Sequence, residues 1–244
     1  MNLLDVSCFQ YNYSVFLVVT GDNKGHVYEK TIVDILTKRN IIPDGLAGAG
    51  SGPGTDIFFV HGKKTYKLEV KNNVVGPDYG QKRLLPFKTD GGWKWKLAKD
   101  EYVTRFYTGL GVLKYLDNKN IVPNKHNKKD SQITEHDKKE DQKNFEDRTF
   151  TISSEAFSKF YFEKADYLQI GNGYGFYHLT DDVAKLGTEK FEGRFILRFR
   201  AKTHHSMPVH GYSFFAVLKC SSAKKSKYNL EDVRGQEFPP IVPN

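Results

Sequence analysis

The sequence of 244 residues lacks the features that define several protein classes. It has two cysteines, Cys8 and Cys220, which are too few for a disulfide framework and lack the paired spacing of a zinc site. The apolar stretch at residues 15–19 is too short to cross a membrane and follows no basic segment of a secretory signal. We therefore expect no disulfide scaffold, no membrane contact and an intracellular, cytoplasmic protein.

The composition is rich in positive charge and in aromatic residues. Lysine and arginine number 37 against 29 acidic residues, which gives a net charge of +8. This surplus favours a polyanionic partner, nucleic acid first of all, although a lysine- and asparagine-rich proteome would produce the same surplus. The aromatic residues, at 14%, favour strands and a packed core. The length fits one large domain or a core with an appended subdomain.

The pattern between residues 54 and 73 predicts a β-hairpin. Asp56 opens an apolar strand, a turn follows at 61–64, and the second strand ends at Lys71. Because strand side chains alternate, one face of the second strand is apolar and the other is charged. The apolar face carries Tyr66, Leu68 and Val70, and the charged face carries Lys67, Glu69 and Lys71. Asp56, Glu69 and Lys71 then indicate a magnesium site with a poised lysine; the alternative is the solvated face of a half-buried sheet.

A preceding helix is predicted over residues 26–39, with Asp22 or Asn23 as its cap. Glu29 flanks the buried face of this helix. Its carboxylate is a candidate third metal ligand or a group that orients a metal-bound water. The alternative is an ordinary first-turn acid, which the helix dipole favours, and the sequence does not separate the two.

This order of elements resembles the PD-(D/E)XK nuclease superfamily, which includes many restriction enzymes, Holliday junction resolvases and recombination exonucleases. The resemblance covers residues 25–81. It consists of a Gly-x-x-x-Glu pattern ending at Glu29, an Asp-Ile pair starting at Asp56, and Glu-Val-Lys from Glu69 to Lys71. The residue before Asp56 is not the proline that many members have there. That proline is not a ligand, so the departure leaves the site intact.

The resemblance implies an α/β fold of the restriction-endonuclease type, with a mixed sheet flanked by helices and a β-rich C-terminal region. It also implies hydrolysis of DNA that leaves a 5′-phosphate. Mg²⁺, or Mn²⁺ in its place, would be held by Asp56, Glu69 and the Val70 carbonyl. Lys71 would position the attacking water and stabilise developing charge, and Glu29 would join through water.

Other features of the superfamily extend to the partner and to one further residue. The substrate implied is double-stranded DNA, and a homodimer is expected because cutting both strands requires two sites. A glutamine after the Glu-x-Lys strand supports the site in several branches, which makes Gln81 a supporting candidate. The alternative is an exposed polar residue, and a helix is predicted to begin there.

Two further segments are candidates for DNA contact. On a strand, Trp93 and Trp95 share one face while Lys94 and Lys96 share the other, so the segment is suited to stack on bases and contact phosphates. The alternative is a buried tryptophan face with solvated lysines. The second segment, residues 195–202, is a predicted strand whose outward face carries three cations.

Those cations are Arg198, Arg200 and Lys202. Three stacked charges suggest a DNA-facing surface with base or phosphate contacts. The alternative is a charged edge strand that resists aggregation.

The composition divides the chain into four parts. Residues 1–116 form the predicted nuclease core, which ends in a helix over 100–116. Residues 117–148 are dense in mixed charge and are predicted to be an exposed loop. Residues 149–220 form a β-rich DNA-recognition region. Residues 221–244 form a basic and proline-rich tail that we expect to be poorly ordered.

Three functions remain open from the sequence. The first is a sequence-specific endonuclease of the type II restriction kind, which the C-terminal region favours. The second is a structure-specific or exonucleolytic recombination nuclease that resembles the resolvases. The third is a non-catalytic nucleic-acid-binding protein that keeps the fold, against which the presence of Asp56, Glu69 and Lys71 speaks.

Overall fold

The computed structural model describes most of the chain. The described residues are 23–42, 55–86, 92–96, 101–120, 122–146, 149–203, 211–234 and 237–240. Cys8 and the apolar stretch at 15–19 lie outside them. The helices are α1 (Lys24–Lys38), α2 (Tyr102–Gly109), α3 (Val112–Asn118), α4 (Asn124–Asn127), α5 (Glu135–Glu146) and α6 (Ser154–Tyr161). The strands are β1 (Ile57–His61), β2 (Lys64–Lys71), β3 (Gly80–Pro86), β4 (Trp93–Trp95), β5 (Thr149–Ile152), β6 (Tyr167–Ile170), β7 (Gly175–His178), β8 (Glu189–Lys190), β9 (Gly193–Thr203) and β10 (Tyr212–Ala223).

The strands form two five-stranded sheets. The first sheet has the order β1-β2-β6-β7-β8 and is mixed, because β6 pairs parallel with β2. The second has the order β4-β3-β10-β9-β5 and is antiparallel. The predicted α/β architecture, with helices flanking a mixed sheet and a β-rich C-terminal region, is confirmed. Each sheet takes strands from both sides of residues 117–148, so the sheets do not follow the predicted division into a core and a separate recognition region.

The predicted hairpin is present, with β1 and β2 antiparallel and His61 opposite Lys64. Gly62 occupies the turn with a φ of 62°, a conformation that glycine adopts without steric strain. The apolar face of β2 packs on α1, where Ile32 and Leu36 are fully buried. The Asn23 side chain accepts a hydrogen bond from the Gly25 N–H at 3.2 Å, so the predicted cap of α1 is confirmed.

The prediction of an exposed loop over residues 117–148 is wrong. The segment forms α4 and α5, and α5 packs on β9. Phe145 is 1% exposed and stacks on Trp93 at 5.1 Å. Asp141 accepts hydrogen bonds from the Asn124 N–H at 2.7 Å and from the Tyr212 hydroxyl at 2.6 Å. The buried ring of Phe145 and the hydrogen-bonded carboxylate of Asp141 thus hold this charge-rich segment against the rest of the fold.

The prediction of a poorly ordered tail is also wrong for residues 221–234 and 237–240. Leu230 is buried in the same cluster as α1, and the Phe238 ring lies 5.7 Å from that of Phe59. The Arg39 guanidinium donates to the Asp232 carbonyl at 2.8 Å. The tail therefore fastens α1 to the first sheet.

Two helix predictions are corrected as well. Gln81 lies on β3, not at the start of a helix. The predicted helix over 100–116 is split into α2 and α3 at Gly111, which has a φ of 71°. Among the described residues, no helix combines the length and apolar composition that crossing a membrane requires.

Phe145→Ala tests whether α5 is folded onto the second sheet. We expect the free energy of unfolding to fall by about 3 to 5 kcal/mol, because a buried aromatic ring leaves a cavity. Urea denaturation followed by circular dichroism measures the change. Lys139→Ala, an exposed position on the same helix, is the control and should change the value by less than about 0.5 kcal/mol. Equal, small effects of the two variants would mean that the segment is an exposed loop.

Candidate active site

The end of the hairpin places three predicted residues side by side. Asp56 directly precedes β1, while Glu69 and Lys71 lie at the end of β2. The Asp56 Oδ2 atom accepts a hydrogen bond from the Val70 N–H at 2.9 Å. This bond fixes the Asp56 carboxylate against the strand segment that carries Glu69 and Lys71.

Glu69 is the most enclosed charged group of the site, with 0% of its surface exposed. Its Oε1 atom accepts from Lys71 Nζ at 2.5 Å, Lys164 Nζ at 2.6 Å and the Tyr161 hydroxyl at 2.9 Å. Its Oε2 atom is buried and has no hydrogen-bond partner among the residues that the structure describes. The face of β2 that carries Glu69 is therefore not a solvated surface, which excludes that alternative.

The surroundings of the two carboxylates shift their pKa values in opposite directions. Burial, followed by the charge of Glu69, raises the pKa of Asp56 from 3.8 to about 6, against the opposing effect of Lys71 and Lys164. Burial by itself would also raise the pKa of Glu69, but Lys71 and Lys164 hold it below its usual value. The site thus contains one firmly ionised carboxylate and one whose ionisation is disfavoured, an arrangement that an additional cation would relieve.

An open cleft of about 1020 Å³ lies in front of these groups. Asp56, Val70 and Lys71 line it from the hairpin. Glu29 lines it from α1, and its Oε2 atom lies 3.7 Å from His26 Nδ1. The structure therefore places Glu29 on the same cleft, as the water-orienting hypothesis requires. The ligand atoms of Glu29, Asp56 and Glu69 do not all lie within 4.8 Å of one another, so the structure does not support direct ligation by Glu29.

The second sheet also contributes to the cleft. Gln81 of β3 and Arg200 of β9 line it together with Lys219 of β10. The Gln81 side chain accepts a hydrogen bond from Lys202. Lys202 also forms an ion pair with Asp78 at 3.0 Å, so it contacts the loop that follows β2.

The tryptophans are not available for base stacking, which corrects their assignment to DNA contact. Trp93 is 6% and Trp95 7% exposed, and both lie in the main core. The Trp95 indole N–H donates to Thr108 at 3.1 Å. Lys94 and Lys96 lie on the exposed face, as the alternation predicted.

The three cations of β9 alternate with buried apolar residues as predicted. β9 pairs with β10 along its length but with β5 only from Phe195 to Arg198. The explanation as a charged edge strand is therefore wrong for Arg198, whereas at Arg200 and Lys202 the β5 side of the strand has no paired neighbour among the described residues. Of the three cations, Arg200 lines the cleft, while Arg198 and Lys202 do not.

Sequence reasoning missed Lys164 and Tyr161, which both contact Glu69. Tyr161 ends α6, and Lys164 follows in the turn before β6. Parallel pairing of β6 with β2 brings this turn over the hairpin. No local pattern signals the contact, because it depends on a pairing between strands about 100 residues apart.

A second group of potential metal ligands lies on α5. His136, Asp137 and Glu140 each offer one atom within 4.8 Å of the others. The Asp137 oxygens already accept from Lys128 at 2.6 Å and from the Thr134 N–H at 2.9 Å. Both oxygens of Asp137 therefore already accept hydrogen bonds, whereas Oε2 of Glu69 accepts none from the described residues.

Asp56→Asn tests the raised pKa of Asp56, which burial and then the charge of Glu69 cause. The folded state holds the Asp56 proton more tightly than the unfolded chain does, so the wild type loses stability as pH rises from about 4 to about 6. In EDTA, Asp56→Asn should gain up to about 3 kcal/mol relative to wild type across that window. Urea denaturation at pH 4 and pH 7.5 measures this, with exposed Asp34→Asn as the control. A stability difference that is the same at both pH values contradicts the account.

Comparison with known proteins gave one similar structure. No family model matches the sequence, and no curated protein matches it. Among solved structures, the chain is similar to HhaI endonuclease in complex with DNA, with a TM-score of 0.41 and 10% sequence identity. The similarity covers 82% of this chain and 87% of that chain. At this degree of similarity it assigns no role to any residue of the cleft.

Proposed function

We propose that this protein is a magnesium-dependent DNA endonuclease whose active site is the end of the β1–β2 hairpin. The observation that carries the proposal is the Glu69 carboxylate, which is fully buried beside a second carboxylate and has one oxygen without a partner in the described part of the chain. A buried charged oxygen without a partner is unfavourable in a folded protein unless a cation or donor occupies the adjacent position.

The residues present fit a divalent metal ion. Mg²⁺ prefers carboxylate and carbonyl oxygens, usually with several waters, and Mn²⁺ would take the same donors. Asp56 and the Val70 carbonyl, from residues that line the cleft, would hold the ion together with the buried Glu69. A metal in this position supplies polarisation of a phosphate oxygen and a lower pKa of a bound water.

The remaining chemistry belongs to side chains of the chain itself. Lys71 lines the cleft, where its ammonium would orient the attacking water and stabilise charge that develops on the phosphate. Glu29 faces the same space from α1 and would orient water. Gln81 supports the site through its bond with Lys202.

The charge of the cleft suits a nucleic acid backbone. Arg200 of β9 and Lys24 at the start of α1 line the cleft, as does Lys219, which forms an ion pair with Asp78 at 2.5 Å. Cations placed along a groove bind phosphates and orient the duplex without reading its sequence. The substrate would be double-stranded DNA, and a homodimer would supply the second site needed to cut both strands.

We further propose sequence-specific cleavage of the type II restriction kind, since the outward face of β9 and the β-rich C-terminal region supply surface beyond the catalytic groups. Discrete fragments from a plasmid would support this reading. Cleavage at ends or branched junctions alone would instead indicate a recombination nuclease. Binding without cleavage would indicate a non-catalytic nucleic-acid-binding protein.

Plasmid digestion with Mg²⁺ or with EDTA tests the proposed function. Wild type should cut only with the metal. Glu69→Gln and Lys71→Ala should each slow cleavage by about 10²- to 10³-fold, because each removes electrostatic stabilisation of the reacting phosphate. Lys64→Ala, at the exposed start of the same strand, is the matched control and should cut like wild type. Cleavage in EDTA, or full activity of Glu69→Gln, would place the chemistry elsewhere.

A further inference from the structure

Oxygen Oε1 of Glu69 has one more hydrogen-bond donor than it needs. Lys71, Lys164 and Tyr161 all donate to it, at 2.5, 2.6 and 2.9 Å. A carboxylate oxygen offers two lone-pair directions. Any one of the three donors can therefore leave while the other two still satisfy this oxygen.

The backbone around Lys164 is fixed from two sides. Its N–H donates to the Tyr161 carbonyl at 2.9 Å, which makes the two donors part of one turn. Its carbonyl accepts from the Thr55 hydroxyl, and Thr55 directly precedes Asp56. Lys164 and Tyr161 thus reach Glu69 together from a turn that is fastened to the hairpin.

Lys71 donates to Glu69, but in the proposed function its ammonium must also reach the substrate phosphate. The inference rests on that proposed function. A buried carboxylate that loses its cation is strongly destabilised. With Lys71 as the sole counter-charge, its departure from Glu69 would meet that penalty. With Lys164 in place, Glu69 keeps both a cation and the Tyr161 hydroxyl.

We infer that Lys164 is a positioning residue that keeps Glu69 compensated and oriented while Lys71 turns from Glu69 to the substrate phosphate. Lys164 and Tyr161 then hold Oε1, so the orientation of the Glu69 carboxylate is kept. Lys164 also lines the cleft, but the inferred role is exerted through Glu69 and Lys71 and requires no contact with DNA.

A double-mutant cycle of thermal unfolding in EDTA tests whether the two lysines replace each other. Lys71→Met and Lys164→Met should each lower the Tm slightly, because the other lysine still compensates Glu69. The double variant should melt several degrees below the sum of the two shifts, since a buried carboxylate without a cation remains. Additive shifts would overturn the inference. This cycle requires no nuclease activity, so it stands apart from the proposed function.

Steady-state cleavage of DNA tests the second half of the inference. Lys164→Met should lower kcat by about 10- to 100-fold, as loss of a residue that orients a metal ligand does, with KM for DNA little changed. Lys164→Arg should recover most of kcat. The matched control is Lys67→Met, because Lys67 donates to the Phe162 and Glu163 carbonyls of the same turn at 3.4 and 3.1 Å without contacting Glu69.

The contrary outcomes are distinct. A raised KM with unchanged kcat would make Lys164 a DNA contact, and an equal loss in Lys67→Met would make it a structural part of the turn. Either result overturns the inference. If wild type fails to cut DNA, the proposed function is wrong and the role of Lys164 toward substrate falls with it, while the melting cycle still decides whether the lysines exchange at Glu69.

Discussion

The buried carboxylate of Glu69 is the interaction on which the rest of the site depends. A charge removed from water is tolerated only when cations and hydrogen bonds compensate it. Three donors contact one of its oxygens, and the other oxygen has no partner among the described residues. Burial, followed by the nearby charge of Glu69, disfavours ionisation of Asp56. The end of the hairpin therefore holds one compensated carboxylate beside one whose ionisation is disfavoured, and Asp56 lines an open cleft.

The two-sheet architecture gathers the groups around that charge. Parallel pairing of β6 with β2 brings Lys164 and Tyr161, which are distant in sequence, to Glu69. The second sheet contributes Gln81 and Arg200 to the lining of the cleft. The C-terminal tail fastens α1, and hence Glu29, to the first sheet. The contacts that stabilise the fold, namely the β2–β6 pairing and the contacts of the tail with α1, thus also position the residues of the candidate site.

Local pattern was sufficient for the hairpin. Alternation along β2 separates Leu68 and Val70 from Glu69 and Lys71, and this follows from strand geometry alone. The same rule placed the cations of β9 on one face. The Asn23 cap and the position of Asp56 at the start of β1 are equally local, so the sequence was enough to find the carboxylates and Lys71.

What the sequence could not supply depends on long-range packing. Charge density over 117–148 suggested a solvated loop, yet Phe145 and the bonded carboxylates of Asp137 and Asp141 fold it onto β9. Alternation identified the face of Trp93 and Trp95, but its burial depends on two helices distant in sequence: α5 covers Trp93 through Phe145, and α2 covers Trp95 through Tyr107 and Thr108. Lys164 reaches Glu69 only through the pairing of β6 with β2, which no local pattern encodes.

The proposed role of Glu69 as the ligand of a divalent cation can be tested without DNA, by measuring Mn²⁺ binding to the protein. Electron paramagnetic resonance counts free and bound Mn²⁺ in a titration of wild type, Glu69→Gln and Glu140→Gln, the last from the alternative cluster on α5. The account predicts saturable binding to wild type and Glu140→Gln that is lost in Glu69→Gln. Undiminished binding to Glu69→Gln, with loss in Glu140→Gln, would contradict it.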